Sequence, residues 1–203
     1  SRGLGDVYKR QRIPGKNLRK IGKKTLVEWS IDSVKGINDI IDILVSSDDK
    51  TIVKIAKKNG AIAPFLRPKY LSKDNTSSED SSMHAIRWYE KNRCKIDGFF
   101  LLQPTTPFRS KEKIKKAISI FNGKEKKPIL SVSKFLNNYK RTNAKINGSF
   151  YLSSTQYFKR YKNLSPKKIF PIEIKVKSQC LDIDTIDDLN LARKYYKKNK
   201  FKL

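Results

Sequence analysis

The apolar positions of this chain fall into short blocks of two alternating kinds. Blocks with apolar residues three and four apart read as amphipathic helices, whereas short continuous runs bounded by turn residues read as buried strands. The first expected helix is Thr25–Val34, followed by a strand at Asp39–Val45 that ends in Ser46-Ser47-Asp48-Asp49. A helix over Thr51–Asn59 is stopped by Gly60, and Ala61–Pro64 reads as a short extended piece. After a loop at Arg67–Thr76 come a helix at Ser78–Lys91, a strand at Phe99–Leu102, a helix at Lys111–Phe121 and a strand at Ile129–Val132. The remainder offers a strand at Ser149–Ser153, a helical turn at Thr155–Tyr161, a strand at Ile172–Lys177 and a closing helix at Ile186–Tyr196. Strands alternating with helices of this length imply right-handed crossovers, so the pattern predicts an α/β fold with a mostly parallel, doubly wound sheet.

At 203 residues the chain suits one hydrophobic core. Residues 12–203 are therefore read as a single domain. Ser1–Gln11 contains no apolar run and cannot supply the buried strand with which such a sheet normally begins. That segment reads as non-native or aberrant, with the first strand of the sheet missing. The two cysteines, Cys94 and Cys180, have no partner at metal-ligand spacing, which predicts a reducing compartment, no zinc and two small buried side chains. No apolar run approaches the roughly 18 residues that span a bilayer, and no signal pattern opens the chain. A cytoplasmic protein with no membrane partner is expected.

Charge complicates this picture. Forty-six Lys and Arg against 19 Asp and Glu give a formal net charge of +27, which invites a nucleic-acid reading because cations that neutralise phosphates drive such association. The excess is mostly lysine scattered among Asn and Ile on helical stretches such as Lys111–Lys116. Base-reading proteins lean instead on Arg forks or on aromatics spaced for stacking. Nucleic acid is accordingly kept as the alternative partner, below a small phosphate-bearing substrate.

Candidate chemistry gathers at two strand ends. Phe99–Leu102 runs into Gln103-Pro104-Thr105-Thr106-Pro107-Phe108-Arg109, and a second apolar stretch ends in Leu181-Asp182-Ile183-Asp184-Thr185. Open α/β sheets build their sites beyond strand ends. Residues two apart in an extended segment share a face, so Asp182 and Asp184 can grip one hard cation. Thr185-Ile186-Asp187-Asp188 is a capping-box pattern that explains Asp187 and Asp188 but leaves the two upstream carboxylates over. Gln103 stands against a proline that cannot continue the ladder, so its amide faces the crevice or caps a neighbouring loop. Lys16 follows a Pro-Gly turn and either reaches a phosphate or is simply solvated. Ser77 and Ser78 precede a helical pattern, so one of them is an N-cap. Asp48 and Asp49 read as turn and cap, His84 as a packing or surface residue, and Arg67 as either a surface ion pair or a forked donor to phosphate or base.

Taken in order, Ile13-Pro14-Gly15-Lys16-Asn17, Val45–Asp49, Pro64–Pro68, Asp74–Ser78, Leu101–Pro107, Asn147-Gly148 with Tyr151, and Asp182–Thr185 form a series. In that series the chain resembles the acylneuraminate cytidylyltransferases, from about Ile13 to the last helix. The resemblance implies a nucleotide-diphospho-sugar transferase type of fold and an Mg²⁺-dependent nucleotidyltransferase. It implies CMP transfer from CTP to a sialic-acid-like nonulosonic acid with release of pyrophosphate. It assigns Lys16, Gln103 and Asp184 to catalysis, and Arg12, Lys16, Asn17, Arg67 and Ser78 to the nucleotide. Gln103, Arg141, Lys145, Asn147, Tyr151 and Phe170 fall to the sugar, and Asp182 and Asp184 to the metal.

Two departures qualify that assignment. Asp6–Gln11 stands where the family has its glycine-rich phosphate loop, which predicts weak CTP binding and slow turnover by the chain as written. The passage from Val132 to Asn147 is shorter than in the family and carries only Lys140, Arg141 and Lys145 as cations, which leaves the sugar and a homodimer open. An inactive fragment and a basic nucleic-acid-binding protein on the same fold are the alternative readings.

Overall fold

The structure is a computed structural model and describes residues 13–73, 75–123, 127–133 and 145–199. A 3₁₀ turn at Lys16–Leu18 leads into a two-stranded antiparallel ribbon, β1 (Lys20–Ile21) and β2 (Lys24–Thr25). Thr25 then caps helix α1 (Leu26–Asp32) with a full capping box: Glu28 N donates to Thr25 Oγ1, and Thr25 N donates to Glu28 Oε2. Helix α2 (Lys50–Lys58) starts at Asp49, whose carboxylate accepts from Thr51 N and Ile52 N. Helix α3 (Ser78–Asn92), strand β3 (Gly98–Leu101), helix α4 (Lys111–Asn122) and strand β4 (Ile129–Ser133) follow. The rest is strand β5 (Lys145–Ser154), helix α5 (Thr155–Tyr161), strand β6 (Phe170–Glu173), a 3₁₀ turn at Lys177–Cys180 and helix α6 (Ile186–Lys197).

The main sheet has the order β3-β5-β4-β6. β4 pairs parallel with β6, and β5 pairs antiparallel with both β3 and β4. Three strands thus share one direction and β5 runs against them, so the sheet is mixed within the expected α/β architecture. The strand expected at Ile172–Lys177 is instead shorter and earlier, because the chain tightens into the 3₁₀ turn at Lys177.

Period-two alternation distributes the core over both faces. Phe100, Leu102, Phe150 and Leu152 pack with Ile114, Ala117 and Ile118 of α4, while Phe99, Leu101 and Tyr151 pack with Met83 and Ile86 of α3 and Phe158 of α5. Helices therefore cover both sides, and every residue of β4 is buried. A third cluster joins Trp29 of α1 to Phe108, Ile183 and Leu189. It fastens the segment after β3 and the start of α6 to the same helix.

The expected strand at Asp39–Val45 forms only two single parallel bridges, Leu44 to Ile62 and Ser47 to Leu66. Val45 N donates to Ile62 O at 2.8 Å and Ile62 N to Ile43 O at 2.7 Å. On its other side, 39–48 faces β3 across a cavity of about 660 Å³. The Ser1–Gln11 segment and the question of a first strand lie outside the described residues. Of the two cysteines, Cys180 is half-buried, but Cys94 is exposed, because the turn after α3 carries it past the sheet.

Candidate active site

The loop after β3 is built around a buried arginine. Arg109 is 0% exposed, and its guanidinium donates to Ser149 O of β5 at 2.5 Å, to Ser30 Oγ of α1 at 2.9 Å and to Gln103 O. Thr106 N closes a turn on the same Gln103 carbonyl at 3.1 Å. Ile183 N donates to Thr105 O at 2.8 Å, which lays 182–184 directly along the Gln103 loop. The two strand ends singled out in the sequence are therefore neighbours.

Ile183 is 0% exposed, while Asp182 and Asp184 on either side of it are exposed. Lys16 Nζ lies 2.8 Å from Asp184 Oδ1, so an ammonium already occupies one cation position against that carboxylate. Asp182 makes no hydrogen bond or ion pair among the described residues. Burial lowers the Arg109 guanidinium to about 9, and the charge of Asp182 opposes that fall. Tyr151 is pushed up by burial, then by the charges of Asp182 and Glu79. Two carboxylates with nothing softer beside them are a donor set that fits magnesium, which takes one or two protein carboxylates together with substrate phosphates and water. No group of three or more His, Cys, Asp and Glu converges among the described residues.

The nucleotide-assigned residues reach the cavity in part. Of these, Asn17, Arg67 and Ser78 line it together with Ser30, Asp48 and Gln103, whereas Lys16 is not part of its lining. Asn17 Oδ1 is buried there without a partner, which marks an unused acceptor. Ser77 is the N-cap of α3, accepting from Asp80 N at 3.0 Å, so the Ser78 hydroxyl is not consumed by the cap. Arg67 is held by Asp48 at 3.2 Å and by Ser72 Oγ at 3.3 Å, which realises the ion-pair reading. His84 stacks edge-on to Phe65 at 4.7 Å and is a packing residue.

The sugar-assigned residues are less unified. Gly148 has φ +74°, and a Cβ placed on it would lie 3.5 Å from Gln103 Oε1 and 3.6 Å from Thr106 Oγ1. The Gln103 amide therefore rests against β5 at Gly148. Asn147 is turned inward: its Oδ1 accepts from Ser149 N at 3.1 Å and its Nδ2 reaches Cys180 Sγ at 3.5 Å. It shapes the irregular stretch of β5 where the β4 register shifts. Lys145 is exposed at the start of β5. Phe170 does not join Tyr151, because strand alternation sends it to the α4 face with Ile129 and Phe150 while Tyr151 packs on the opposite face. Arg12, Lys140 and Arg141 lie outside the described residues.

Sequence reasoning missed Arg109 and Thr106 as parts of this site. Thr106 is 0% exposed, with Oγ1 unpartnered beside Gln103. The available signal was their place in the stretch after β3, where polar residues interrupt an apolar run without turn chemistry of their own.

Comparison with solved structures defines the class first. The fold matches a CMP:2-keto-3-deoxy-manno-octonic acid synthetase complexed with CTP, with a TM-score of 0.69, 12% identity, and coverage of 93% of this chain and 94% of that one. At that identity the likeness speaks to the fold alone, an α/β fold shared over nearly the whole of both chains. The profile of the Cytidylyltransferase family matches residues 8–164, and the chain belongs to that family. It is 27% identical to a CMP-N,N'-diacetyllegionaminic acid synthase of Legionella pneumophila, over 94% of this chain and 93% of that protein. It is 29% identical to a pseudaminic acid cytidylyltransferase of Campylobacter jejuni, over 93% and 92% respectively.

Proposed function

We propose that the chain transfers CMP from CTP to the anomeric hydroxyl of an acidic nonulosonic sugar. The anomeric oxygen forms a bond to the α-phosphorus as the α–β phosphoanhydride breaks, pyrophosphate leaves with the electron pair, and the hydroxyl proton is released. Such a displacement needs positioning and charge neutralisation more than covalent help. The observation that carries the reading is that the Asp182–Asp184 segment is hydrogen-bonded to the loop whose Gln103 lines the same cavity as Asn17, Arg67 and Ser78.

In this reading Asn17, Arg67 and Ser78 hold the nucleotide, and Lys16 swings from Asp184 to the triphosphate. Gln103 and Tyr151 face the sugar, with Lys145 and Arg141 as candidate cations for its carboxylate. Asp182 and Asp184 would hold Mg²⁺, which supplies charge neutralisation of the phosphates when bound. The names of the Legionella and Campylobacter relatives favour legionaminic or pseudaminic acid as the acceptor, with sialic acid next. A cytoplasmic location belongs to this reading, because CTP would be the substrate. No described helix is long and apolar enough to cross a membrane.

Incubation with CTP, Mg²⁺ and separate nonulosonic acids, read by pyrophosphate release and the CMP-sugar formed, tests this reading. Acid-dependent pyrophosphate supports it. No turnover with any acid, together with steeply salt-dependent binding of duplex or single-stranded nucleic acid, favours the alternative.

A further inference from the structure

We infer that Arg109 is a positioning residue for the acceptor sugar, acting through Gln103; the inference rests on the cytidylyl-transfer reading of the site. Arg109 is fully buried, and its hydrogen bonds go to two backbone carbonyls and one serine hydroxyl rather than to a carboxylate. A buried guanidinium so placed is expensive, and an apolar side chain of similar size fills such a space at less cost. What the guanidinium adds is direction. Its planar fork ties three separate segments at fixed angles: the second half of α1 at Ser30, the end of the β3 segment at Gln103, and β5 at Ser149.

Two of those anchors bracket the Gln103 amide. One is the carbonyl of Gln103 itself. The other is the residue after Gly148, the glycine against which Gln103 Oε1 rests. A shift of the loop relative to β5 therefore moves the amide directly, whereas Asn17, Arg67 and Ser78 sit on segments Arg109 does not bond.

The test is a double-mutant cycle on steady-state kinetics, with CTP and each nonulosonic acid varied separately. Arg109→Lys keeps the charge and loses the fork. It is expected to raise the acceptor KM by roughly tenfold and the CTP KM by less than about threefold. In a Gln103→Ala background the same change should move the acceptor KM by less than about twofold, because the route through Gln103 is already cut. Equal rises in both KM values, or additive effects in the cycle, overturn the inference and leave Arg109 as a fold clamp. A Gln103→Ala enzyme with unchanged acceptor KM removes the sugar contact itself, and the inference falls with it.

Circular dichroism and the thermal midpoint confirm folding of each variant. If Arg109→Lys does not fold, Ser30→Ala removes only the acceptor on α1. Because Ser30 also lines the cavity, the reading is the ratio: the acceptor KM should rise by about threefold and by more than the CTP KM, and an acceptor KM that is unmoved, or rises no more than the CTP KM, overturns the inference.

Discussion

β4 and β5 on one side of the molecule, and the extended stretch 39–48 on the other, are written in similar apolar residues but are held very differently. β4 is buried throughout and bonded on both edges, between β5 and β6. The stretch 39–48 is tied to 61–67 by single bridges, leaves Ile41 74% exposed, and among the described residues borders a cavity rather than a second partner strand. Among the described residues the Leu44 and Ser46 amides donate to no backbone carbonyl. A run of apolar residues therefore makes a strand only where a second backbone edge meets it. The site sits at this divide: its firm wall is the Gln103 loop clamped to β5, and its other wall is the loosely bridged segment carrying Asp48.

The contrast is sharpened most by truncating the core on the firm side. Phe150→Ala, at a 1% exposed position between Phe100 and α4, should cost about 3–5 kcal/mol, whereas Ile41→Ala should stay within about 0.5 kcal/mol. Denaturant unfolding of both checks this, and similar losses would break the comparison. Native-state hydrogen exchange gives the next largest difference. Amides of β4 and the paired half of β5 should exchange about 100-fold or more slowly than those of Leu44 and Ser46.

Smaller effects test the joints between the regions. Gly148→Ala forces an alanine into φ +74° beside Gln103, for about 1–2 kcal/mol and a fall in thermal midpoint of about 2–4 °C per kcal/mol. The smallest expected effect is on α1. Burial raises the Glu28 pKa, but the Thr25 hydrogen bonds and the charge of Lys20 outweigh it and leave the carboxyl below its ordinary value. A carboxylate lowered on folding stabilises fully above its ordinary range and loses that contribution as the pH falls through its lowered folded-state value. Glu28→Gln should flatten this acid limb by less than about 1 kcal/mol, given solvent screening. An unchanged limb would assign the capping box no electrostatic part.

Much of this was legible in the residues. Helix starts were readable because caps are local: Thr25, Asp49, Ser77 and Thr185 all accept from the amides their spacing implies. Strand direction was not, since β5 carries the same alternation whichever way it runs, and only its neighbours set it antiparallel. Nor did the sequence mark Phe170 as facing away from Tyr151, or Arg109 as buried; both depend on which distant segments arrive. Asn147 looked like a sugar ligand beside Gly148, yet its amide is committed to Ser149 and Cys180.

The central claim is that two carboxylates beside the Gln103 loop serve CMP transfer to an acidic sugar. Its most direct test is pyrophosphate release from CTP with legionaminic, pseudaminic and sialic acids, comparing the parent chain with Asp182→Asn/Asp184→Asn across a magnesium titration. The account predicts acid-dependent release that requires magnesium in the parent and falls by roughly 1,000-fold in the double variant, with folding unchanged by circular dichroism. Equal rates in the two proteins, or release indifferent to magnesium, would contradict it.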